Sequence, residues 1–237
     1  MDIMEGATLY INKPYGMSSF GALARVRYIL SRKLGVKHVK VGHAGTLDPL
    51  ATGVLILCTG KKTKDIEGMK HLDKEYVATL QLGATTASFD REHPVDATYP
   101  TSHITLPLVE TTLRGFVGDI MQEPPVYSAC KIGGRRAYRM ARGGEEVALA
   151  PKQVRINALE LLRFDPETMT LEIRVECGKG TYIRALARDI GRALCSGAYL
   201  TALCRTRVGD VGIDQCVALD QFPAYIDREL GLDNKVI

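Results

Sequence analysis

Residues 153–178, QVRINALELLRFDPETMTLEIRVECG, decide the fold because they place two strands next to each other along the chain. In the second strand, charged residues alternate with apolar residues, which are Leu171, Ile173, Val175 and Cys177. This period of two is typical of a strand with one buried face. Strands joined by so short a connection pair antiparallel. The stretch therefore predicts an antiparallel pair.

The residues that follow, TYIRALARDIGRAL at 181–194, change to the period of an amphipathic helix. One apolar stripe is predicted, formed by Ile183, Leu186, Ala187, Ile190, Ala193 and Leu194. A second face carries three arginines spaced by four, Arg184, Arg188 and Arg192. A strand pair followed by a helix favours segments of both types in one domain.

Outside this region, the patterns predict further strands at 7–14, 53–60 and 74–83, and helices at 18–35, 106–118 and 136–144. In the first helix, Ser18 or Ser19 is the expected N-cap and Gly35 the stop. Its expected apolar stripe comprises Phe20, Leu23, Val26 or Ile29, Leu30 and Leu34. Residues 85–100 are expected to form a loop, and 123–134 an extended segment. The sequence thus predicts an α+β fold with a mixed, largely antiparallel sheet flanked by helices.

Composition excludes several classes of protein. The 237 residues are 46% hydrophobic and 24% charged, as in ordinary globular domains. The longest apolar run, GVLILC, is far shorter than the roughly 18 residues of a membrane span, and the N-terminus lacks a secretory pattern. We therefore expect a cytoplasmic protein without membrane contact. The six cysteines form no CxxC pair and the five histidines no HExxH, so no metal site is expected.

Positive charge is concentrated in two blocks that contain no acidic residue. Arg25 to Lys40 carries six basic residues, and Lys131 to Arg142 carries five, within a net charge of only +4. Together they could form one surface for a phosphate backbone. Each could equally be the solvated face of a helix.

A single carboxylate, Asp48, occupies the stretch GHAGTLDPLATG at residues 42–53. Pro49 pushes Asp48 towards an extended backbone, and the small residues allow another chain to approach closely. An Asp before Pro is also common in turns and helix N-caps, so the pattern alone leaves both interpretations open.

Five motifs in order, between about residues 8 and 207, resemble the TruB family of tRNA pseudouridine synthases. They are INKPYGMSS at 11–19, KVGHAGTLDPLATGVLILCTGKKTK at 40–64, KEYVATLQLGATTASFD at 74–90, PPVYSACKIGGRRAYRMAR at 124–142 and CGKGTYIRALARDIG at 177–191. The resemblance implies the pseudouridine synthase fold. It also implies an isomerase that converts the T-loop uridine of tRNA, position fifty-five, to pseudouridine without metal or organic cofactor.

The resemblance also gives individual residues a role. Asp48 would be the catalytic aspartate, with the route by which it breaks the glycosidic bond left open. The residues expected to contact the substrate are Tyr76, Tyr182, Arg184, Leu203, His43 and Lys13. Tyr76 would stack on the base and is a candidate to take the C5 proton, while Arg184 would pair with Asp48. His43 would enter the T-loop, Leu203 would form an apolar wall, and Lys13 would approach the RNA.

Two features depart from the family pattern. Most bacterial members of the family continue beyond the catalytic core into a C-terminal RNA-binding domain. Here residues 1–210 are predicted to form the catalytic domain, and residues 211–237 form a tail that is too short for a full RNA-binding domain. Cys204 stands where relatives commonly have a basic residue. The expected partner is tRNA, with no obligate protein partner.

Two rival hypotheses fit part of the pattern. A tRNA chaperone that only binds and refolds the T-loop would need the basic blocks, Tyr76 and His43, but no Asp48 paired with Arg184. An aspartyl-phosphate enzyme would need a phosphate-binding loop and metal carboxylates near Asp48, and the sequence offers neither.

Overall fold

The computed structural model describes residues 1–128, 130–137, 140, 143, 145 and 147–232. Their strands are β1 (Thr8–Lys13), β2 (Val41–His43), β3 (Thr52–Thr59), β4 (Lys74–Leu82), β5 (Ala84–Thr86), β6 (Val95–Thr98), β7 (Gly118–Gln122), β8 (Lys131–Ile132), β9 (Arg135–Arg136), β10 (Lys152–Asp165), β11 (Thr170–Cys177), β12 (Ala198–Val208), β13 (Val211–Gly212) and β14 (Val217–Ala218). The α-helices are α1 (Ser19–Lys33), α2 (Ile66–Met69), α3 (Leu106–Arg114), α4 (Ile183–Ala193) and α5 (Phe222–Glu229). Short 3-10 helices cover Gly60–Lys64 and Ile213–Gln215.

The chain divides into two compact units. Unit 1 comprises Met1–Lys74 and Cys204–Ile237, and unit 2 comprises Glu75–Leu203. None of the helices in the described ranges is long and apolar enough to cross a membrane.

In unit 1 the strands run in the order β14, β1, β3 and the end of β12, with β2 also paired to β3. The β1–β3 and β2–β3 pairs are antiparallel, whereas β1–β14 and β3–β12 are parallel. Alternate residues of β3 reach two cores because they point to opposite faces. Leu55 and Leu57 join the core that contains helices α1 and α5, while Val54 and Ile56 join a second core with Val208.

Helix α1 follows the prediction closely. Ser18 caps it by accepting a hydrogen bond from the Gly21 N–H at 3.0 Å, and Gly35 beyond its end has φ +65°. Leu23, Val26 and Leu30 are buried, but Phe20 is 64% exposed. The prediction was therefore wrong for Phe20. A buried stripe centred on Val26 turns the side chain of residue 20 away from the sheet.

In unit 2 the strands run in the order β12, β4, β11, β10 and β7. The β10–β11 and β10–β7 pairs are antiparallel. The four apolar residues predicted to face inward from β11 are all buried. The predicted α+β fold with a mixed, largely antiparallel sheet is therefore confirmed.

Helix α4 buries its predicted apolar stripe except for Ala193, which is exposed at the last turn. The predicted arginine face is buried at two of its three members, because Arg184 and Arg188 are only 4% and 6% exposed. Helix α3 ends before the predicted Gly118. It stops at Arg114 with Gly115 as the C-cap, and Gly118 instead begins β7.

The segment predicted as a loop at 85–100 contains a small hairpin. Strands β5 and β6 pair antiparallel, with Ala84 opposite Thr98 and Thr85 opposite Ala97. Strand β6 has only four residues, VDAT, and none of them is buried, so the sequence offers too short a pattern to identify it. The short helix predicted at 136–144 lies mostly on residues outside the described ranges, and so do Arg139 and Arg142 of the second basic block.

Candidate active site

The loop that carries Asp48 is anchored to unit 1 on both sides. The Leu47 N–H donates to Ser19 Oγ at 2.8 Å, and the Ser19 hydroxyl donates back to the Leu47 carbonyl at 3.0 Å. Ala44, Leu47 and Ala51 are buried, while Thr46 and Pro49 are exposed. Three buried side chains and a reciprocal pair of hydrogen bonds hold the loop in one conformation. The Asp48 residue of this loop is half-buried.

Two glycines of this loop are required by the packing of unit 1 itself. Gly53 has φ +101°, and a Cβ there would lie 2.2 Å from the Arg205 carbonyl oxygen. A Cβ on Gly42 would lie 2.5 Å from Ile66 Cδ1. Small residues were expected here to let a ligand approach. At these two positions, neighbouring protein atoms already require a glycine. The neighbouring strand and helix occupy the space.

Lys13 lies beneath the loop with no exposed surface. Its ammonium donates to the carbonyls of Met17 at 2.6 Å, Pro14 at 2.9 Å and Pro49 at 3.4 Å. Burial lowers the Lys13 pKa from 10.5 to about 8, against an opposing effect of the Asp48 carboxylate. No sequence pattern predicts this burial. Contact between Lys13 and RNA stays a prediction, and the observed contacts are those of a support for the loop.

The titration of Lys13 yields a testable stability difference. Between about pH 8 and 10.5 the unfolded chain holds a proton on Lys13 that the folded chain has lost. The Lys13 contribution to the free energy of unfolding therefore rises with pH through this window. The same contribution is lost as the pH is lowered from 10.5 to about 8. We expect wild type to gain up to about 3 kcal/mol over Lys13→Met across the window, measured by urea unfolding. Parallel pH curves for the two proteins would refute the assignment.

His43 ends β2, where it pairs with Leu57 of β3. Its pKa is lowered, first by burial and then by the positive charges of Arg205 and Lys70, while a backbone hydrogen bond with Gly45 opposes the shift. The imidazole is therefore neutral at physiological pH. Any contact with RNA would depend on shape and hydrogen bonding.

Sequence reasoning missed Arg205, which is 1% exposed beneath the same loop. Its Nε donates to the Val54 carbonyl at 2.8 Å, and its second guanidinium nitrogen lies 3.3 Å from the Gly45 carbonyl oxygen. The positive charge also lowers the pKa values of Lys13 and His43. Only its place in a strand with other basic residues could have been read from the sequence.

In unit 2, Tyr76 lies on β4, where every second residue from Lys74 to Leu82 is buried. Tyr76 itself is 9% exposed. Leu203 lies on β12 and is half-buried. Both residues therefore combine a packed side chain with some accessible surface.

Tyr182 is fixed at the start of α4 by Gln122 at the end of β7. The Tyr182 N–H donates to Gln122 Oε1 at 2.8 Å, and Gln122 Nε2 donates to the Tyr182 carbonyl at 3.2 Å. The hydroxyl of Tyr182 lies 3.2 Å from Cys130 Sγ. Tyr182 is the N-cap of this helix, and its own side chain makes no capping hydrogen bond. The buried side chain of Gln122 accepts a hydrogen bond from the end of the helix instead. No sequence pattern predicts this role of Gln122.

Arg184, two residues further, is held by buried acceptors. Its guanidinium donates to the carbonyls of Tyr127 at 2.9 Å and Ser88 at 3.1 Å, and its Nε lies 3.6 Å from Asp90 Oδ2. Asp90 also accepts from Ser88 Oγ at 2.5 Å and from the Glu92 N–H at 2.9 Å. Asp90 was not singled out from the sequence, although it ends the quoted motif at 74–90. The pairing of Arg184 with Asp48 stays a prediction.

Two solved structures share this architecture over nearly the whole chain. The chain matches a protein chain of a Cbf5–Nop10–Gar1 complex with a TM-score of 0.69 and 26% identity, over 97% of this chain and 57% of that one. A chain of an H/ACA RNP bound to a substrate RNA containing 2′-deoxyuridine matches with a TM-score of 0.67 and 25% identity, over 97% and 56%. The chain thus spans little more than half the length of these structural relatives.

Sequence profiles define the family. Residues 31–183 match the TruB family pseudouridylate synthase (N terminal domain), and residues 184–235 match the tRNA pseudouridylate synthase B C-terminal domain. The chain therefore belongs to the TruB family. The second match begins before residue 210, so the predicted domain boundary there stays a prediction.

Curated relatives agree over nearly the whole chain. The protein named tRNA pseudouridine synthase B from Bacteroides thetaiotaomicron is 59% identical over 231 residues, covering 97% of this chain and 96% of its own. Those of the same name from Flavobacterium johnsoniae and Mycobacterium bovis are 45% and 42% identical. This chain covers 96% of the former but 74% of the latter, which is longer.

Proposed function

We propose that this protein is a tRNA pseudouridine synthase that converts the T-loop uridine at position fifty-five to pseudouridine. The observation that carries the proposal is 59% identity, over nearly the full length of both chains, to a protein named tRNA pseudouridine synthase B. The anchored, half-buried carboxylate of Asp48 supports it. The test is release of tritium from tRNA labelled at uridine C5 by the purified protein, without added metal or cofactor.

The reaction requires one bond to be exchanged for another. The bond from N1 of uracil to C1′ of the ribose breaks, the base turns, and a bond from C5 to C1′ forms. The C5 proton is then lost and N1 gains a proton, so the reaction is an isomerisation. We assign Asp48 to the bond-breaking step, with attack on the ribose, attack on the base and proton abstraction from the sugar as its open routes.

A detached uracil must be retained while it turns. Aromatic faces hold planar bases by stacking, which is worth roughly 1–3 kcal/mol per base. We assign this contact to Tyr76, with Tyr182 and Leu203 as further walls. The double hydrogen bond from Gln122 supports the role of Tyr182, because it fixes the backbone from which the ring projects.

The hydroxyl of Tyr76 is the proposed acceptor of the C5 proton, and two substitutions separate this role from stacking. Tyr76→Phe keeps the aromatic ring and removes the proton-accepting hydroxyl. We therefore expect tritium release to slow about 100-fold with unchanged tRNA affinity. Tyr76→Leu removes both and should weaken binding of the detached base as well. Tritium release at the wild-type rate by Tyr76→Phe would exclude the hydroxyl as the acceptor of the C5 proton.

The T-loop uridine must leave its stack before it reaches the half-buried carboxylate of Asp48, and unstacking costs a few kcal/mol. We assign His43 to the vacated space in the T-loop. Its position supports this role, because it lies five residues before Asp48 at the end of β2. The lowered His43 pKa supports insertion as a neutral ring.

We further propose that the protein works in the cytoplasm on free tRNA without an obligate protein partner. The Cbf5 structures are complexes with Nop10 and, in one case, Gar1. Turnover by the purified chain alone tests the difference. A chaperone that only binds the T-loop would bind tRNA and release no tritium.

A further inference from the structure

The solvent-facing side of helix α1 carries aromatic and basic side chains that the core does not use. We call this side the outer face and define it by Phe20, Arg25, Tyr28 and Arg32. Phe20 and Tyr28 are each 64% exposed, and both arginines are exposed. The opposite side of the helix buries Ala22, Leu23, Val26 and Leu30. The exposed aromatics therefore contribute little to folding, and large exposed rings on a soluble domain point to a binding surface.

The stretch of chain that carries this face contains only positive charges. No acidic residue occurs between Glu5 and Asp48, a stretch that holds seven lysines and arginines. Lys33 pairs with Asp227 at 2.6 Å. Arg25, Arg27 and Arg32 have no ion-pair partner within the described part of the chain. Unpaired arginines beside exposed rings match the chemistry of RNA, with phosphates for the guanidinium groups and base faces for the rings.

An open cleft of about 480 Å³ borders the outer face. Arg25 lines it together with Asn12, Thr52 and Asp220. Amide, hydroxyl and carboxylate groups can hydrogen-bond the edges of a base or a ribose hydroxyl, while Arg25 can meet a phosphate. The cleft thus offers a recess for an unpaired nucleotide beside Arg25.

On the outer face, Tyr28, Arg25 and Arg32 lie on the side of α1 that is turned away from Ser19. Ser19 bonds to Leu47 of that loop from the buried side of α1. Tyr28 lies nine residues after Ser19, which at about 100° per residue is the opposite side of the helix. A nucleotide bound at Asp48 therefore cannot contact Tyr28 at the same time. RNA stacked on Tyr28 must therefore come from a different nucleotide than the one at Asp48.

We propose that the outer face of α1 binds a part of tRNA outside the T-arm, with unpaired bases stacked on Phe20 and Tyr28 and phosphates held by Arg25 and Arg32. This inference rests on the proposed function, since it assumes that tRNA is the substrate. It adds a second contact region, which distinguishes a whole tRNA from an isolated hairpin.

The test compares full-length tRNA with an isolated T-arm hairpin. Phe20→Ala/Tyr28→Ala and Arg25→Ala/Arg32→Ala are the test variants. Leu106→Ala/Arg114→Ala, an exposed apolar and basic pair on α3, is the control. Because the changed side chains are exposed, all three proteins should retain the wild-type unfolding temperature, which is measured first.

We expect each test variant to bind full-length tRNA about ten-fold more weakly and to raise its KM similarly. The plot of log Kd against log salt should lose about two units of slope in the arginine variant, but keep its slope in the aromatic one. Turnover of the hairpin should stay at the wild-type value, and the control should match wild type on both RNAs.

Two outcomes would overturn the inference. Equal losses on tRNA and hairpin would place the face in contact with the T-arm, and no loss on either would exclude RNA, leaving a protein partner as the occupant. Failure of the proposed function looks different, because wild type would then turn over neither RNA.

Discussion

Replacing Asp48 by Asn is expected to reduce tritium release from C5-labelled tRNA by at least about 10³-fold. The change keeps the size of the side chain and removes the carboxylate that the reaction needs. The loop should persist, since its anchors are backbone groups of residues 44–51, the Ser19 hydroxyl and three buried apolar side chains. Affinity for tRNA should therefore stay within about two-fold of wild type.

The matched control is Asp65→Asn, an exposed aspartate of the same unit that pairs with Lys62 at 3.2 Å. It should leave turnover and binding unchanged. Near-normal turnover by Asp48→Asn would remove Asp48 from the chemistry. Loss of both turnover and tRNA binding would instead mean that the carboxylate shapes the loop.

Replacing Arg184 by Met is expected to lower the free energy of unfolding by about 3–5 kcal/mol, because it strands a buried carboxylate at Asp90. The buried carbonyl of Ser88 and the partly buried carbonyl of Tyr127 also lose their donor. Turnover should fall more than about 100-fold. Chemical denaturation and tritium release measure the two effects separately.

A double variant separates stability from chemistry. In Arg184→Met/Asp90→Asn, the carboxamide oxygen can still accept from Ser88 Oγ and the Glu92 N–H, and no buried charge remains. We expect stability to recover by at least about 2 kcal/mol while turnover stays low. Recovery of both would reduce Arg184 to a structural residue. As a surface control, Arg155→Met breaks an exposed pair with Asp119 at 3.2 Å and should cost less than about 1 kcal/mol.

The regular elements were predictable where a period of two or 3.6 was strong. Strand β11 and helices α1 and α4 follow directly from the spacing of their apolar residues, and Ser18 and Gly35 bound α1 as expected. The hairpin of β5 and β6 could not be predicted in this way. Its strands have only three and four residues, too few to establish a period, and backbone hydrogen bonds pair them.

Around the candidate site, the sequence indicates which residues are candidates for the chemistry. It does not predict which residues those candidates contact in the fold. The Asp48 loop stands out through its single carboxylate and its resemblance to a family motif. The buried positions of Lys13 and Arg205 depend on strands brought together from residues far apart in the chain. The contacts of Arg184 with Asp90 and of Tyr182 with Gln122 have the same origin, since they join positions 94 and 60 residues apart. Spacing along one chain carries no information on such contacts.

The central claim is that this protein isomerises one T-loop uridine through Asp48, and mapping of pseudouridine in tRNA tests it most directly. Transfer RNA is isolated from cells that lack the gene and carry either the wild-type or the Asp48→Asn copy. Pseudouridine at position fifty-five should be present with the wild-type copy, and absent with Asp48→Asn and without any copy. Its presence in cells without the gene, or its formation by Asp48→Asn, would contradict the account.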